Sequence, residues 1–588
     1  MEGLDIIAVT FNSEKWLNGF FNSVVQSNYS LQKISLIFID NNSTDGTKVR
    51  LKEFKEKNEF KFLSIQILES KKNEGFGKSN NVAAAKAITS HLFFLNIDTE
   101  LYTDSLASIE KEVIESESQF KVWELRQIPY EHPKIYNPIT RETPWASGAA
   151  LVIERKIFNK VGGFDENIFM YGEDVDLSWR ILLEGYKIKY LPKVKVRHFS
   201  YETINEIKPI QYYHSIVNHF YLRFKYGTLF HMIYSIKMLL GLFKKPTPFK
   251  KGRRKLVKIY LLNLFKYSYA LLWNIFRLRK IKKIRNRFFG VQFISWDYSL
   301  RRQGDFYNQS SLISNPSVSV IMRSFNRSPK IIREALTSLE NQIYQNFEVI
   351  FVEDGTCNAR SIILEEFSTL DITYISLKEN RGRSYAGNVG LKESKGKYVC
   401  FLDDDDLLFA DHLEVLVREI ERAPFLDAVY SKAFVTPVTI ENKSLGEYKV
   451  HDYFVEFGGE FNKLRLIQGN YFPIQSVLFK KKLYDANGGF DETIDFHEDW
   501  DLWLRYALKS QFKLVDKVTS IYRVPLKSRE RDRQMESTIQ YLKTKHQNLI
   551  VEMSLKDVDI QLREIILTNQ PFFIHHFWYK FLKKVIKK

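Results

Sequence analysis

Apolar residues in this chain come in short runs separated by polar stretches whose own apolar positions recur at helical spacing. Ile6-Ile7-Ala8-Val9, Leu36-Ile37-Phe38-Ile39 and Leu92-Phe93-Phe94-Leu95 are β-branched or aromatic and bounded by Asn, Asp and Gly. Such runs predict strands buried on both faces. Phe11 to Gln26 and Lys48 to Lys57 carry helical spacing between them. The alternation predicts an α/β fold with a parallel sheet, whose ligands gather at the carboxyl ends of the strands. Asp40 and Asp98 stand at two such ends.

The same pattern returns more than 300 residues later. Ile6 to Asn12 recurs as Ser319 to Asn326, Leu36 to Ser43 as Val349 to Thr356, and Asn73 to Gly77 as Asn380 to Ser384. Leu92 to Asp98 is echoed by Val399 to Asp406, and Gly162-Gly163-Phe164-Asp165-Glu166 returns unchanged from Gly488 to Glu492. Glu173 to Arg180 recurs as Glu498 to Arg505. Blocks conserved in order at so long a period mean tandem domains, not a solenoid. Ser328 to Asn341 and Ala386 to Lys392 read as helices of the second copy.

Two acidic features carry candidate chemistry. Asp403-Asp404-Asp405-Asp406 follows an apolar strand, and adjacent carboxylates repel, which a hard divalent cation with oxygen ligands would offset. Glu498-Asp499 opens a helix-like stretch beside Trp500 and Trp503, and Glu173-Asp174 repeats it. A carboxylate so placed suits a general base on a hydroxyl, or alternatively an acidic first turn that complements the helix dipole. Gly75, Gly77 and Lys78 lack the spacing of a phosphate loop, while Gly162-Gly163 and Gly488-Gly489 supply turns before the acidic helices. Cys357 and Cys400, the only cysteines, read as buried reduced thiols rather than a disulfide framework.

Together these motifs resemble inverting family 2 glycosyltransferases of the GT-A fold, over about residues 5–200 and 316–525. The first copy is similar to the rhamnosyltransferase branch through "IDNNSTDGT", "NEGFGKSNN", "NID" and "GGFDENIFMYGEDVDLSWR"; the second is similar to the general branch through "VEDGT", "FLDDDD" and "GGFDETIDFHEDWDLWLR". The resemblance implies two Rossmann-like, nucleotide-sugar-binding domains. It implies contacts to the nucleotide diphosphate from Thr10, Asp40, Asn41 and Asn96, and from Glu353, Asp354, Asp403 and Asp404. It places Asp98, His198 and Asp405 on a divalent metal, Mg²⁺ or Mn²⁺, and makes Asp174 and Asp499 the bases. It implies UDP- or dTDP-sugar donors and a glycan or lipid-diphosphate-linked acceptor. Two departures stand out. The first copy has Asn96-Ile97-Asp98 where its branch commonly has Asn-Pro-Asp, and the second has Tyr522-Arg523 near the position of His198, with Arg523 a candidate for the diphosphate.

Charge alters the picture between the two copies. The 588 residues carry a formal net charge of +17, but Ile207 to Trp296 holds 20 Lys and Arg and no Asp or Glu, leaving 67 basic and 70 acidic residues elsewhere. Cations there alternate with Leu, Phe and Tyr, and Ile259 to Phe276 is a nearly apolar run interrupted by Lys266. Amphipathic, basic helices of this kind lie in a bilayer interface and are drawn to anionic lipid; no nucleic-acid-reading motif accompanies them. The expected organisation is a first domain (1–200), a basic helical linker (201–315), a second domain (316–545) and a basic helical tail (546–588). The N-terminus has no basic n-region, so the expectation is a cytoplasmic enzyme, peripheral on the inner membrane face, working beside other glycan-assembly enzymes. Two catalytic copies are the first reading; one active second copy with an acceptor-binding first copy is the alternative.

Overall fold

The computed structural model describes residues 3–199, 208–244, 249, 252–285, 287–300, 302–307, 315–355, 358–494, 496–508, 510–526, 529–548, 551 and 553–568. The chain forms two compact units, Met1–Gln309 and Ser310–Lys588.

The first sheet runs edge to edge as Ser64–Glu69, Ile34–Asp40, Leu4–Thr10, His91–Leu95, Ala150–Glu154, Phe120–Glu131, Lys187–His198 and Thr99–Leu101. The second repeats this order with Ile372–Ser376, Phe347–Glu353, Val318–Ser324, Tyr398–Asp403, Val477–Lys480, Ala428–Asn442, Phe512–Pro525 and Leu407–Leu408. The duplication is therefore topological as well as textual. The expected parallel sheet is corrected to a mixed one. The first four strands are parallel, but Ala150–Glu154 and Val477–Lys480 enter antiparallel to their neighbours. Both-face burial erases the polar alternation that usually marks an antiparallel strand, so direction was not readable from pattern. In each unit an apolar cluster packs on either face of the sheet.

The predicted helices appear as Glu14–Val25, Thr47–Asn58, Pro329–Glu340 and Arg383–Glu393. Cys400 is buried in a strand, and burial pushes its thiol up to about 12; Cys357 lies outside the described residues.

The basic stretch is helical: Pro209–Tyr226, Leu229–Lys244, Gly252–Leu262 and Leu264–Arg285. It is no free connector. Tyr213, Val217, Phe220, Tyr226, Tyr267 and Ala270 join the core of the first sheet. Asn218 donates to the carbonyls of Met170 and Tyr171. The apolar run from Ile259 to Phe276 breaks at Asn263 between two helices, and among the described residues no helix is long and apolar enough to cross a membrane. In the second unit, Leu555–Thr568 packs back on its own domain: Asn462 Nδ2 donates to the Gln561 carbonyl at 2.9 Å. The remaining tail lies outside the described residues.

Candidate active sites

In the first unit, three strand ends converge. Thr10 Oγ1 donates to Asp40 Oδ1 at 3.0 Å, and Asp40 Oδ2 accepts from the Ser43 amide at 2.8 Å. Asn41 donates to the Gly75 carbonyl at 3.1 Å and accepts from the Ser79 hydroxyl at 2.6 Å. Gly75 has φ +88°, and a Cβ there would lie 2.3 Å from the Phe169 carbonyl oxygen, so only glycine lets this loop approach. Thr10, Asp40 and Asn41 are buried and hold the loop backbones in place. Lys78 pairs with Glu74 at 2.9 Å.

Next to this floor, Asn96 donates its amide to the Ala149 carbonyl at 2.9 Å, and Asp98 Oδ1 lies 3.3 Å from His198 Nε2. His198 Nδ1 is 2.7 Å from Gln127 Oε1, which orients the ring and aims Nε2 at Asp98. That buried nitrogen makes no hydrogen bond. Burial raises the proton affinity of Asp98, but the imidazole outweighs it and the net shift is downward. An imidazole nitrogen facing a carboxylate across 3.3 Å, on a ring oriented by the Gln127 amide, fits a divalent cation. Among the described residues no three His, Cys, Asp or Glu group around a metal. Water and oxygens of a bound anion would supply the remaining ligands, as is usual for Mg²⁺.

Glu173 and Asp174 open the helix Glu173–Leu183, behind the turn in which Gly162 and Gly163 have positive φ. Asp174 accepts from the amides of Gly148 at 3.1 Å and Val175 at 2.8 Å. Burial pushes its pKa up, against the pull of those amides and of Lys134. Glu173, buried and beside Asp174, is pushed well above the carboxylate range. Its Oε2 makes no hydrogen bond. Both carboxyls of the pair are thus held toward the protonated form, Glu173 by burial and its neighbour's charge and Asp174 by burial.

In the second unit, Asp354 accepts from the amides of Arg381 and Gly382 at 2.7 and 2.9 Å, and Glu353 from Asn358 N at 2.8 Å and the Tyr374 hydroxyl at 2.7 Å. Asp499 accepts from Asn470 Nδ2 and from the Trp500 amide, both at 2.8 Å. Burial, then the charge of Glu498, push its pKa up to about 7. That value suits a base working near neutrality.

The acidic run is met by arginines. Arg323 grips Asp403 with two 2.8 Å bonds and reaches Glu498 at 3.0 Å. Arg327 bonds Asp404 at 2.8 Å and Asp405 at 3.0 Å. Arg383 lies 3.8 Å from Glu498. Strand register puts Val9 where the second copy has Arg323. The motif order likewise puts Ser13 at Arg327 and Phe76 at Arg383. The second copy thus has three extra acids, Asp403, Asp404 and Asp406, and three extra arginines. The repulsion expected to require a cation is offset by guanidinium groups. Burial raises Asp404 to about 6 and lifts Asp406 well above its usual range, while Arg323 overrides burial and holds Asp403 low. Asp405 is the carboxylate at the register of Asp98, and a cation there would displace Arg327 from it.

Register also places Tyr522 at the position of His198, since Leu407 pairs with Ile521 as Glu100 pairs with Arg197. Arg523, expected at the diphosphate, is instead buried, 2.8 Å from Glu334 and over the Tyr448 ring. Three residues went unnoticed in the sequence. Gln127 and Asn470 lie in no recurring block; Arg323 lies inside one, and its departure from Val9 was the available signal.

Two sheets of one topology, each with an acid pair at the start of the helix beside its carboxyl edge, define paired α/β domains of one design. The sequence model described as glycosyl transferase family 2 matches residues 5–171 and 319–483, more than half of the chain. The chain belongs to that family, with a member in each unit. Among its relatives, it is 30% identical over 207 residues to the uncharacterized glycosyltransferase YwdF of Bacillus subtilis, covering 35% of this chain and 73% of that one. It is 28% identical over 218 residues to an uncharacterized glycosyltransferase of Methanocaldococcus jannaschii, covering 36% and 72%. Among solved structures, a mannosyltransferase from Pyrobaculum calidifontis in complex with GDP-Man and Mn²⁺ aligns with TM-score 0.34 and 16% identity, over 48% of this chain and 86% of that one.

Proposed function

We propose that the chain is a bifunctional inverting glycosyltransferase that moves two sugars from nucleoside diphosphate donors, UDP- or dTDP-linked, to a growing glycan on a lipid-diphosphate carrier. The observation that carries this is the repeated base: Asp174 and Asp499 head equivalent helices, each half-enclosed and each with raised proton affinity. Each takes the proton of an acceptor hydroxyl, and the oxygen attacks the sugar C1 as the bond to the diphosphate breaks on the opposite side. Backbone amides hold each base in place, Gly148 and Val175 on Asp174 and Trp500 on Asp499. Arg383 and Arg327 border the second site with positive charge. A divalent cation, bound, would neutralise charge on the leaving diphosphate; Asp98 and His198 would hold it in the first copy and Asp405 in the second.

The rhamnosyltransferase-like features of the first copy support different donors for the two. The helices Leu229–Lys244 to Leu264–Arg285 support docking on an anionic membrane at the cytoplasmic face. Phe265 and Phe276 are 67% and 84% exposed there, among Arg279, Lys282 and Lys283, also exposed. Lipid carriers present their diphosphates at such a surface.

One observation favours a second reading, in which only the second copy is catalytic. Glu173 has no arginine where Glu498 has Arg323. The test is consumption of a panel of nucleotide sugars by the full chain and by Asp174→Asn and Asp499→Asn. Each variant is expected to lose one transfer and keep the other. If Asp174→Asn changes nothing and Asp499→Asn abolishes all transfer, the second reading holds.

A further inference from the structure

Each catalytic unit carries a second acidic pair, away from the donor floor, that the chemistry above leaves unused. In the first unit these are Asp165, in the Gly-Gly-Phe-Asp-Glu turn, and Asp176, on the base helix two residues beyond Asp174. Lys225 Nζ stands 2.6 Å from both, and the three side chains are nearly inaccessible to solvent. Tyr221 donates to Asp165 at 2.6 Å, Tyr226 to Asp176 at 2.8 Å, and Arg180 to the far side of Asp176 at 2.7 Å. In the second unit the homologous pair is Asp491 and Asp501. Lys545 Nζ lies 2.7 Å from the first and 2.6 Å from the second. His546 Nε2 is 2.8 Å from Asp501, and Arg505 donates to it at 2.9 Å.

The acids belong to blocks that recur in sequence, but the lysines do not. Phe224-Lys225-Tyr226 and Thr544-Lys545-His546 share only the lysine, and each stands at the end of a helix that follows the last long strand of its domain. Different neighbouring residues around the same ammonium and the same two carboxylates point to a shared requirement. We propose that Lys225 and Lys545 are positioning residues for the bases, each bolting its base helix to the preceding turn, so that every catalytic domain extends one helix past its sheet. An ammonium bridging two carboxylates, buried in the first unit and partly exposed in the second, fixes their separation, and the helix start carrying Asp174 or Asp499 is thereby fixed relative to Gly148 or Asn470. Without the bolt, the arginine stays on one carboxylate of the pair, Asp176 or Asp501, its partner loses its counter-charge, and the helix moves to let water reach them.

The inference rests on Asp174 and Asp499 being the bases. The test uses full-length chain with one copy silenced, Asp499→Asn for work on the first. Lys225→Met is then assayed with the nucleotide sugar that copy consumes, and UDP with MnCl₂ serves as a calorimetric probe of the donor floor. The expected result is a fall in kcat of roughly 100-fold, the order a misplaced reacting group costs. UDP affinity should stay within about twofold, and Lys225→Arg should recover at least about tenfold of the loss. The acidic limb of the kcat profile should also move to higher pH, because Asp176 would then face Glu173 and Asp174 with less compensation. Hydrogen-exchange protection of the first unit's strands, unchanged from wild type, confirms that the unit carrying the substitution is folded. If Lys225→Met does not fold, Tyr226→Phe carries the same test, with a kcat loss of about tenfold expected from one lost bond to a charged group. Unchanged kcat, or a loss confined to UDP affinity, overturns the proposal. An active Asp174→Asn would instead overturn the base assignment beneath it, so the two failures are told apart.

Discussion

Asp499→Asn should abolish transfer by the second unit and make the variant's stability rise relative to wild type as pH increases. Burial, with Glu498 alongside, raises the Asp499 carboxyl from 3.8 to about 7. A carboxyl whose folded pKa lies above its unfolded one binds more protons when folded, so its contribution favours the fold at low pH and is lost as pH rises through about 7. Between pH 5 and pH 8 that loss amounts to roughly two pKa units, about 2–3 kcal/mol, and residual solvent contact lowers it to about 1–2 kcal/mol. The amide variant escapes this penalty. It has one acceptor oxygen for two donors, Asn470 Nδ2 and the Trp500 amide, which costs about 1–3 kcal/mol at any pH. The pH dependence therefore isolates the electrostatic part. Hydrogen exchange across the helix Glu498–Ala507, in wild type and variant at matched pH, reads it directly. The variant's protection relative to wild type should rise by about 1–2 kcal/mol from pH 5 to pH 8. A pH-independent difference, or one of opposite sign, would refute the claim that Asp499 is held against its charge.

Three further outcomes follow from the same geometry. Gln127→Leu removes the partner of His198 Nδ1 and should weaken Mn²⁺ binding in the presence of UDP about 10–100-fold, measured by calorimetry with the second site silenced; unchanged affinity would remove His198 from the cation site. Arg323→Met leaves Asp403 and Glu498 buried without their shared guanidinium and should cost about 3–5 kcal/mol in urea unfolding of the second unit, with Asp403→Asn in the same chain recovering part of it. Replacing Arg279, Lys282 and Lys283 by Gln should lower partition onto anionic vesicles about 100-fold at low salt, from roughly 1 kcal/mol per cation, and leave partition onto neutral vesicles unchanged; equal losses on both would mean the helices bind through their apolar faces alone.

Much of this was legible in the chain. The duplication, the strand ends and the acid pairs are local in sequence, and each rests on a residue type that a buried sheet edge or a helix start requires. The direction of Ala150–Glu154 was hidden because a strand covered on both faces reads alike whichever way it runs. The membership of the basic stretch was hidden for a different reason. Its cations pointed to an interface, but Tyr213, Phe220 and Tyr267, which seat it against the first sheet, look like any other aromatics in an aromatic-rich segment.

The acidic run shows where reading along a chain misleads about electrostatics. Asp403 to Asp406 look uncompensated because nothing basic is near them in sequence, and a cation then seems required. Their counter-charges come from the neighbouring strand and the loop after it, Arg323 and Arg327, about 80 residues earlier. A parallel sheet places the ends of distant strands side by side, so charge balance in such a site is set across strands and not along them. Comparing the two copies exposes this. Where acids were gained at Asn96, Ile97 and Thr99, cations appear at Val9, Ser13 and Phe76, and the only carboxylate of that segment common to both copies is Asp98, or Asp405. The shared anion, not the longer run, is therefore the part of the motif that both copies keep, and the copies differ in how each site balances its charge across strands.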